Sequence, residues 1–319
     1  MKLTRHYLQW ITISLCLLLS YSCNHKDLLY EGVAGIHFSF DWSQAPNAAP
    51  AMMRLAVFPE EGEQLEIPFA AEGGSTTLVS GYYGFIAYNS DSEVLSASGY
   101  NYEDYEIVSR TTDLTRFAPM FATSRAPRAR GTEDQPYAYC PDELWTSVHQ
   151  MMVSANTTSV SMSMQPATTE YVIVINNVHN LSTVREVMGT LSGMSQSWIP
   201  AKGQCSDTHC IMPFEVQSDG ESTITARMRC FGHCPGEEHG EHLLVIYAML
   251  TDQSKWYYTF DVTEALHDSN HHDESGSGDY PEIPIVLDDL PLPTPVPAEG
   301  MGLQPQVDGW QEVTIEKEL

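Results

Sequence analysis

Apolar and polar positions alternate with a period of two along much of this chain, and that pattern predicts strands. Ile36–Trp42 alternates as a strand with one buried face does. Arg54–Pro59, Leu65–Phe69, Thr76–Val79, Gly81–Asn89 and Tyr105–Val108 follow as short runs, separated by Gly, Pro and Asn turns. Strands at such near-regular spacing, with no helical period between them, predict a β-sandwich over residues 31–110. The pattern then breaks. Pro119, Pro127, Pro136 and Pro141 punctuate a stretch read as a long exposed connection, residues 111–158. It holds the basic cluster Arg125, Arg128 and Arg130, a target for a trypsin-like protease.

Alternation resumes at Ser159–Met164, and Tyr171–Asn176 is a nearly continuous apolar strand. Leu181, Val184, Val187, Met188 and Leu191 recur at spacings of three and four, which predicts one short amphipathic helix ending at Gly193. Strands are expected again at Ile211–Val216, Ser222–Cys230, His242–Leu250, Lys255–Val262, Ile283–Leu287 and Glu312–Ile315. Thr251–Ser254 reads as a hairpin turn, and the Pro-rich stretch Leu290–Pro305 as stiff and extended. Residues 159–319 are therefore expected to form a second sandwich. The fold class expected is all-β in the main: two β-sandwich domains with one short helix.

The first residues change the picture from fold to location. Lys2 and Arg5 precede an apolar run, Tyr7–Leu19, and then Ser20-Tyr21-Ser22-Cys23. A basic start, a short apolar core and small residues before a cleavage point describe an export signal. The run falls short of the about 20 apolar residues of a spanning helix. Residues 1–22 are read as a lipoprotein signal peptide, Cys23 as the acylated residue, and 23–30 as a tether. Ser20 and Tyr21 depart from the usual lipobox, so plain secretion or an uncleaved anchor stays open as the alternative.

The chain has 319 residues and a formal charge of −27, which deepens when Lys2 and Arg5 leave with the leader. Such a charge opposes nucleic-acid binding, whose affinity comes from Lys and Arg on phosphate. No Walker loop, dinucleotide fingerprint, His-Glu-x-x-His or Gly-x-Ser-x-Gly elbow occurs, and no nucleophile–base pair can be named. The expectation is a protein that is not an enzyme and has no resident cofactor.

Two segments could collect a metal. Cys205-x4-Cys210 and Cys230-x3-Cys234, with His209, His233, His239 and His242 interspersed, allow two disulfides, free thiols or a tetrahedral zinc site. His267–Glu274 carries imidazoles and carboxylates in what reads as a loop. Zinc and calcium are the ions considered, although the loop does not fit an EF-hand. Trp42, Trp145, Trp198 and Trp310 are candidates for stacking on sugar.

Several short motifs occur in order: Lys26-Asp27-Leu28 after Cys23, Phe40-Asp41-Trp42, Arg54–Pro59, Gly81-x-Tyr83 running to Tyr88–Asp91, Pro141–Trp145, Leu191–Met194 and Phe260–Thr263. Together they resemble the fimbrillin-like lipoproteins of Bacteroidales, over nearly the whole mature chain. The resemblance implies two transthyretin-like, fimbrillin-type sandwiches, lipid-anchored at the outer membrane or cell surface. It implies a structural or adhesive role, with fimbrial subunits or surface glycans as partners, since some relatives assemble into fimbriae by donating a strand. The Cys/His-rich segment 205–242 is a departure from that family, and the arginine cluster lies between the domains rather than near the start.

Overall fold

Val33–Asp41 buries every second side chain, Ala34, Ile36, Phe38 and Phe40, and this one strand organises the first half of the molecule. The computed structural model describes residues 32–122, 125–233, 241–267, 282–295 and 309–314. Its strands in the first half are β1 (Val33–Asp41), β2 (Met53–Pro59), β3 (Leu65–Phe69), β4 (Gly73–Val79), β5 (Gly81–Asn89), β6 (Leu95–Ser98), β7 (Glu106–Ser109), β8 (Trp145–Val153), β9 (Ser159–Ser163) and β10 (Gln165–Pro166). The second half holds β11 (Thr169–Val178), β12 (Val184–Ser195), β13 (Ser197–Ile199), β14 (Gln204–Cys205), β15 (His209–Glu215), β16 (Gln217–Ser218), β17 (Ile224–Cys230), β18 (Leu243–Leu250), β19 (Lys255–Asp261), β20 (Glu282–Leu290) and β21 (Trp310–Thr314). The class is all-β, as expected. Among the described residues no helix is long and apolar enough to cross a membrane.

The first sandwich packs the sheet β4-β1-β9 on the sheet β10-β8-β5-β2-β3. Ile36, Phe38, Phe40, Leu55, Val57, Phe85 and Met162 fill the space between them. Phe38 meets Phe85 edge-on at 5.2 Å. Each such side chain removed from water contributes roughly 1.5–3 kcal/mol. Two strands differ from the expected organisation. Ser159–Met164, placed by its alternation in the second sandwich, pairs instead in parallel with β1, Phe38 opposite Val160. Trp145–Val153, expected within the connection, runs antiparallel to β5 from Gly81↔Val153 to Tyr88↔Thr146. Parallel neighbours far apart in sequence leave no local signature. β8 escapes detection because three consecutive central residues, Val148–Gln150, are all exposed.

The second sandwich packs β16-β17-β11-β20 on β15-β12-β18-β19-β21. Tyr171, Ile173, Ile175, Met212, Phe214, Leu244, Ile246 and Ile285 lie in its core. Here the expected helix over Leu181–Gly193 is corrected to strand β12. Val184, Val187, Leu191 and Met194 all face this core, although period two cannot carry 184 to 187 or 191 to 194. Register shifts between Val184 and Glu186, and between Leu191 and Met194, reset the alternation. Two β-bulges thus imitate a helical spacing of three, four and three. The α-helix among the described residues is α1 (Thr263–His267).

The expected exposed connection is anchored to the second sandwich by a few buried side chains. Leu114, Met120, Phe121 and Ala129 cover the outer face of β12, β18 and β19, against Met188, Val245, Tyr247 and Tyr257. All eight residues of β18 are buried in consequence. A small sheet, β14-β13-β7-β6, joins the halves, with Trp198 of β13 opposite Ile107 of β7. Beneath it Phe58, Ile86, Tyr88, Tyr105, Leu144 and Phe231 form a cluster shared by both sandwiches.

Candidate functional site

Among the described residues Cys140, Cys205 and Cys230 carry free thiols, and Cys210 is buried. Cys205 belongs to the cluster joining the sandwiches, whereas Cys210 and Cys230 sit in the core of the second. Cys205 and Cys210 thus pack in different clusters. Cys205 Sγ donates to the carbonyl of His233 at 3.3 Å, and Cys140 Sγ to that of Pro213 at 3.3 Å. Burial pushes the Cys140 thiol up to about 12 and raises Cys205 and Cys230 as well. These are protonated thiols, poorly suited to nucleophilic or metal chemistry, which needs the thiolate. Cys23, the expected lipidation site, lies outside the described residues, as do Cys234, His239, His271 and His272.

The histidines behave differently. The structure joins His233 and His242 of one candidate segment to His267 of the other. His242 leads into β18, its backbone N–H donating to Thr263 Oγ1 at 2.8 Å. Its ring is buried, with Nδ1 3.2 Å from the Ser192 carbonyl and Nε2 3.1 Å from His267 Nε2. α1 brings in His267, and the stretch after β17 brings in His233 as Ser195 N–H donates to Gly232 O at 3.0 Å. Ring centroids are 5.0 Å apart for His242–His267, 4.9 Å for His233–His267 and 5.5 Å for His233–His242. Tyr171 Oη lies 3.3 Å from His233 Nδ1. Gly193, at φ +73°, clears room for the His242 ring, because a Cβ there would overlap its Nδ1. Desolvation, opposed by the Ser192 carbonyl and reinforced by His233, His267 and His209, holds the His242 imidazole down at about 4. It is neutral at physiological pH. Sequence spacing does not reveal this cluster, since its members come from the stretch after β17, the residue before β18 and the end of α1.

A second polar centre lines a hollow of about 250 Å³ beside β2, β3 and β5. Arg54 Nη1 pairs with Glu66 Oε2 at 2.8 Å, Tyr105 Oη donates to Glu66 Oε1 at 2.6 Å, and the Tyr88 and Tyr105 hydroxyls are 3.0 Å apart. Burial raises Tyr105 far above its ordinary range, and the Glu66 hydrogen bond raises Arg54. Neither change makes a base or a nucleophile. The network ties the joining sheet to the first sandwich.

Arg125 and Arg130 are exposed, while Arg128 is held. Its Nη1 donates to the carbonyls of Thr132, at 3.2 Å, and Gln135, and its guanidinium sits 4.2 Å over the Tyr137 ring. The tryptophans are packed rather than presented to sugar. Trp42 meets Trp145 at 5.9 Å, Trp198 packs in the joining cluster, and Trp310 stacks on Phe121 at 5.6 Å beside Tyr247 at 5.3 Å.

A family model described as "Domain of unknown function (DUF5119)" matches residues 22–215. A Bacteroides ovatus protein named "Putative fimbrium anchoring subunit Fim4B" is 23% identical over 323 residues, covering 92% of each chain. The crystal structure of a "putative adhesin" from Bacteroides ovatus shares the fold at TM-score 0.59 and 20% identity, over 86% of this chain and 98% of that one. A second "putative adhesin" from Bacteroides ovatus superposes at TM-score 0.51 and 9% identity, over 80% and 88%.

Proposed function

We propose, from the premise that this chain belongs to the family described as "Domain of unknown function (DUF5119)", that it is a non-enzymatic fimbrial anchor or accessory subunit held at the cell surface by a lipid on Cys23. The observation that carries this reading is the end-to-end match, 92% of each chain, with a relative named as a fimbrium anchoring subunit. A match over both sandwiches carries more weight than one over a single module would.

The physical features of the chain support the reading. Val33 lies ten positions after Cys23, so a lipid at Cys23 leaves β1 within at most about 35 Å of the membrane surface. A charge of −27 disfavours adsorption to anionic headgroups, which makes a covalent lipid the natural means of attachment. The two sandwiches share a sheet and a hydrophobic cluster, which suits a body that transmits tension. β21 rides the edge of its sheet through only five residue pairs with β19. An edge strand so lightly held is where a subunit's strand can add or exchange, gaining backbone hydrogen bonds.

Co-purification tests the proposal. Fimbrial subunits from the same bacterium, co-expressed with this chain, should form a complex that survives gel filtration and contains one copy of it. Absence of any such complex, with free chain that is folded, overturns the anchoring role.

A further inference from the structure

We propose that His233, His242 and His267 form a binding site for one divalent transition-metal cation of the zinc class. The site is independent of the fimbrial reading and stands or falls separately.

A carbonyl oxygen only accepts, so the 3.2 Å contact between His242 Nδ1 and Ser192 O requires Nδ1–H. His242 Nε2 then carries a lone pair. A ring nitrogen donating to a backbone carbonyl while the other is left bare is the arrangement that orients histidine ligands in metal sites. The bare nitrogen faces His267 Nε2 at 3.1 Å. Two imidazole nitrogens on one tetrahedral zinc, each at 2.0–2.1 Å, stand about 3.3 Å apart. The pair is thus already at nearly the ligand spacing, bridged in the metal-free protein by one proton that a cation replaces.

The third ring fits the same centre. A ring centroid lies about 1.15 Å behind its ligating nitrogen, which puts centroids about 5.2 Å apart around a tetrahedral ion. The observed separations, 4.9, 5.0 and 5.5 Å, bracket that value for all three pairs. Among the described residues no three His, Cys, Asp or Glu side chains are already placed to hold a metal ion. The proposed site therefore requires His233, whose Nδ1 lies 3.3 Å from Tyr171 Oη, to turn so that its Nε2 joins the pair. Three imidazoles select zinc, copper, nickel or cobalt over calcium.

Cobalt(II) alone is the probe. The tag-free full chain, stripped with chelator, is titrated with cobalt and followed by visible absorption and elemental analysis. The expected result is one cobalt per chain, with tetrahedral-type bands and no sulfur-to-cobalt charge transfer, and displacement by zinc. His267→Ala, at an exposed position, and His233→Ala should each weaken binding more than about tenfold, while melting like the parent without metal. No stoichiometric uptake, uptake unchanged in either variant, or a sulfur band would each overturn the site.

Discussion

The Lys255 ammonium is buried beside the second sandwich, 2.7 Å from the backbone carbonyl of Met120, a residue 135 positions earlier. It also lies 5.5 Å from the Trp310 ring. One side chain on β19 therefore holds both the connection between the sandwiches and the last strand.

Replacing Lys255 with Ala should destabilise the protein by about 2 kcal/mol, the scale of a lost charge-assisted hydrogen bond to a buried acceptor. Because the connection is then released, cleavage at Arg125 and Arg130 by trypsin should accelerate relative to the parent. Urea unfolding and timed proteolysis measure the two effects. Unchanged proteolysis would mean that the connection is held elsewhere, for instance by Tyr247 Oη donating to Pro127 O at 2.6 Å.

Gly193→Ala combines a left-handed backbone, φ +73°, with a Cβ directed into His242. The two costs together should exceed about 2 kcal/mol. The urea midpoint should fall with the slope unchanged, as expected for a loss of native stability alone.

Gly193 also shows why the sequence misleads about β12. The bulge beside it, and a second near Val184, convert a two-residue period into one that looks helical. The simple alternation of β1 was legible because β1 faces one core and makes no bulge. β9 alternates equally well, yet its partner β1 is more than a hundred residues away, and no local pattern records that pairing. The same holds for the candidate sites. Metal-ligand residue types are visible in two segments, and the fold brings three histidines from both together.

Trp310→Ala should loosen β21. The indole is the strand's main apolar anchor, packed on Phe121 and Tyr247. Hydrogen–deuterium exchange over Lys255–Asp261 should quicken, while β11 and β17 on the opposite sheet stay protected. Uniformly faster exchange would show that the tryptophan supports the whole sandwich instead.

Asp219 closes the turn between β16 and β17, accepting from the N–H groups of Glu221, Ser222 and Thr223 at 2.8, 3.0 and 3.0 Å. The Thr223 and Glu221 bonds hold its carboxyl below the ordinary value. A carboxylate depressed in the folded state stabilises above its unfolded pKa, and that contribution is lost as pH falls through the folded value. Asp219→Ala should therefore melt lower than the parent at pH 7, and the gap should close on acidification below about pH 4. A gap that persists at low pH would assign the effect to turn propensity.

The central claim, a lipid-held fimbrial anchor, is tested most directly by fractionating the parent bacterium with and without Cys23→Ala. The account predicts that wild-type chain and fimbriae sediment together with the outer membrane. The variant should release both into the medium, with the fimbriae still assembled. Fimbriae that remain membrane-bound, at unchanged length and amount, while the variant chain is lost to the medium would contradict it.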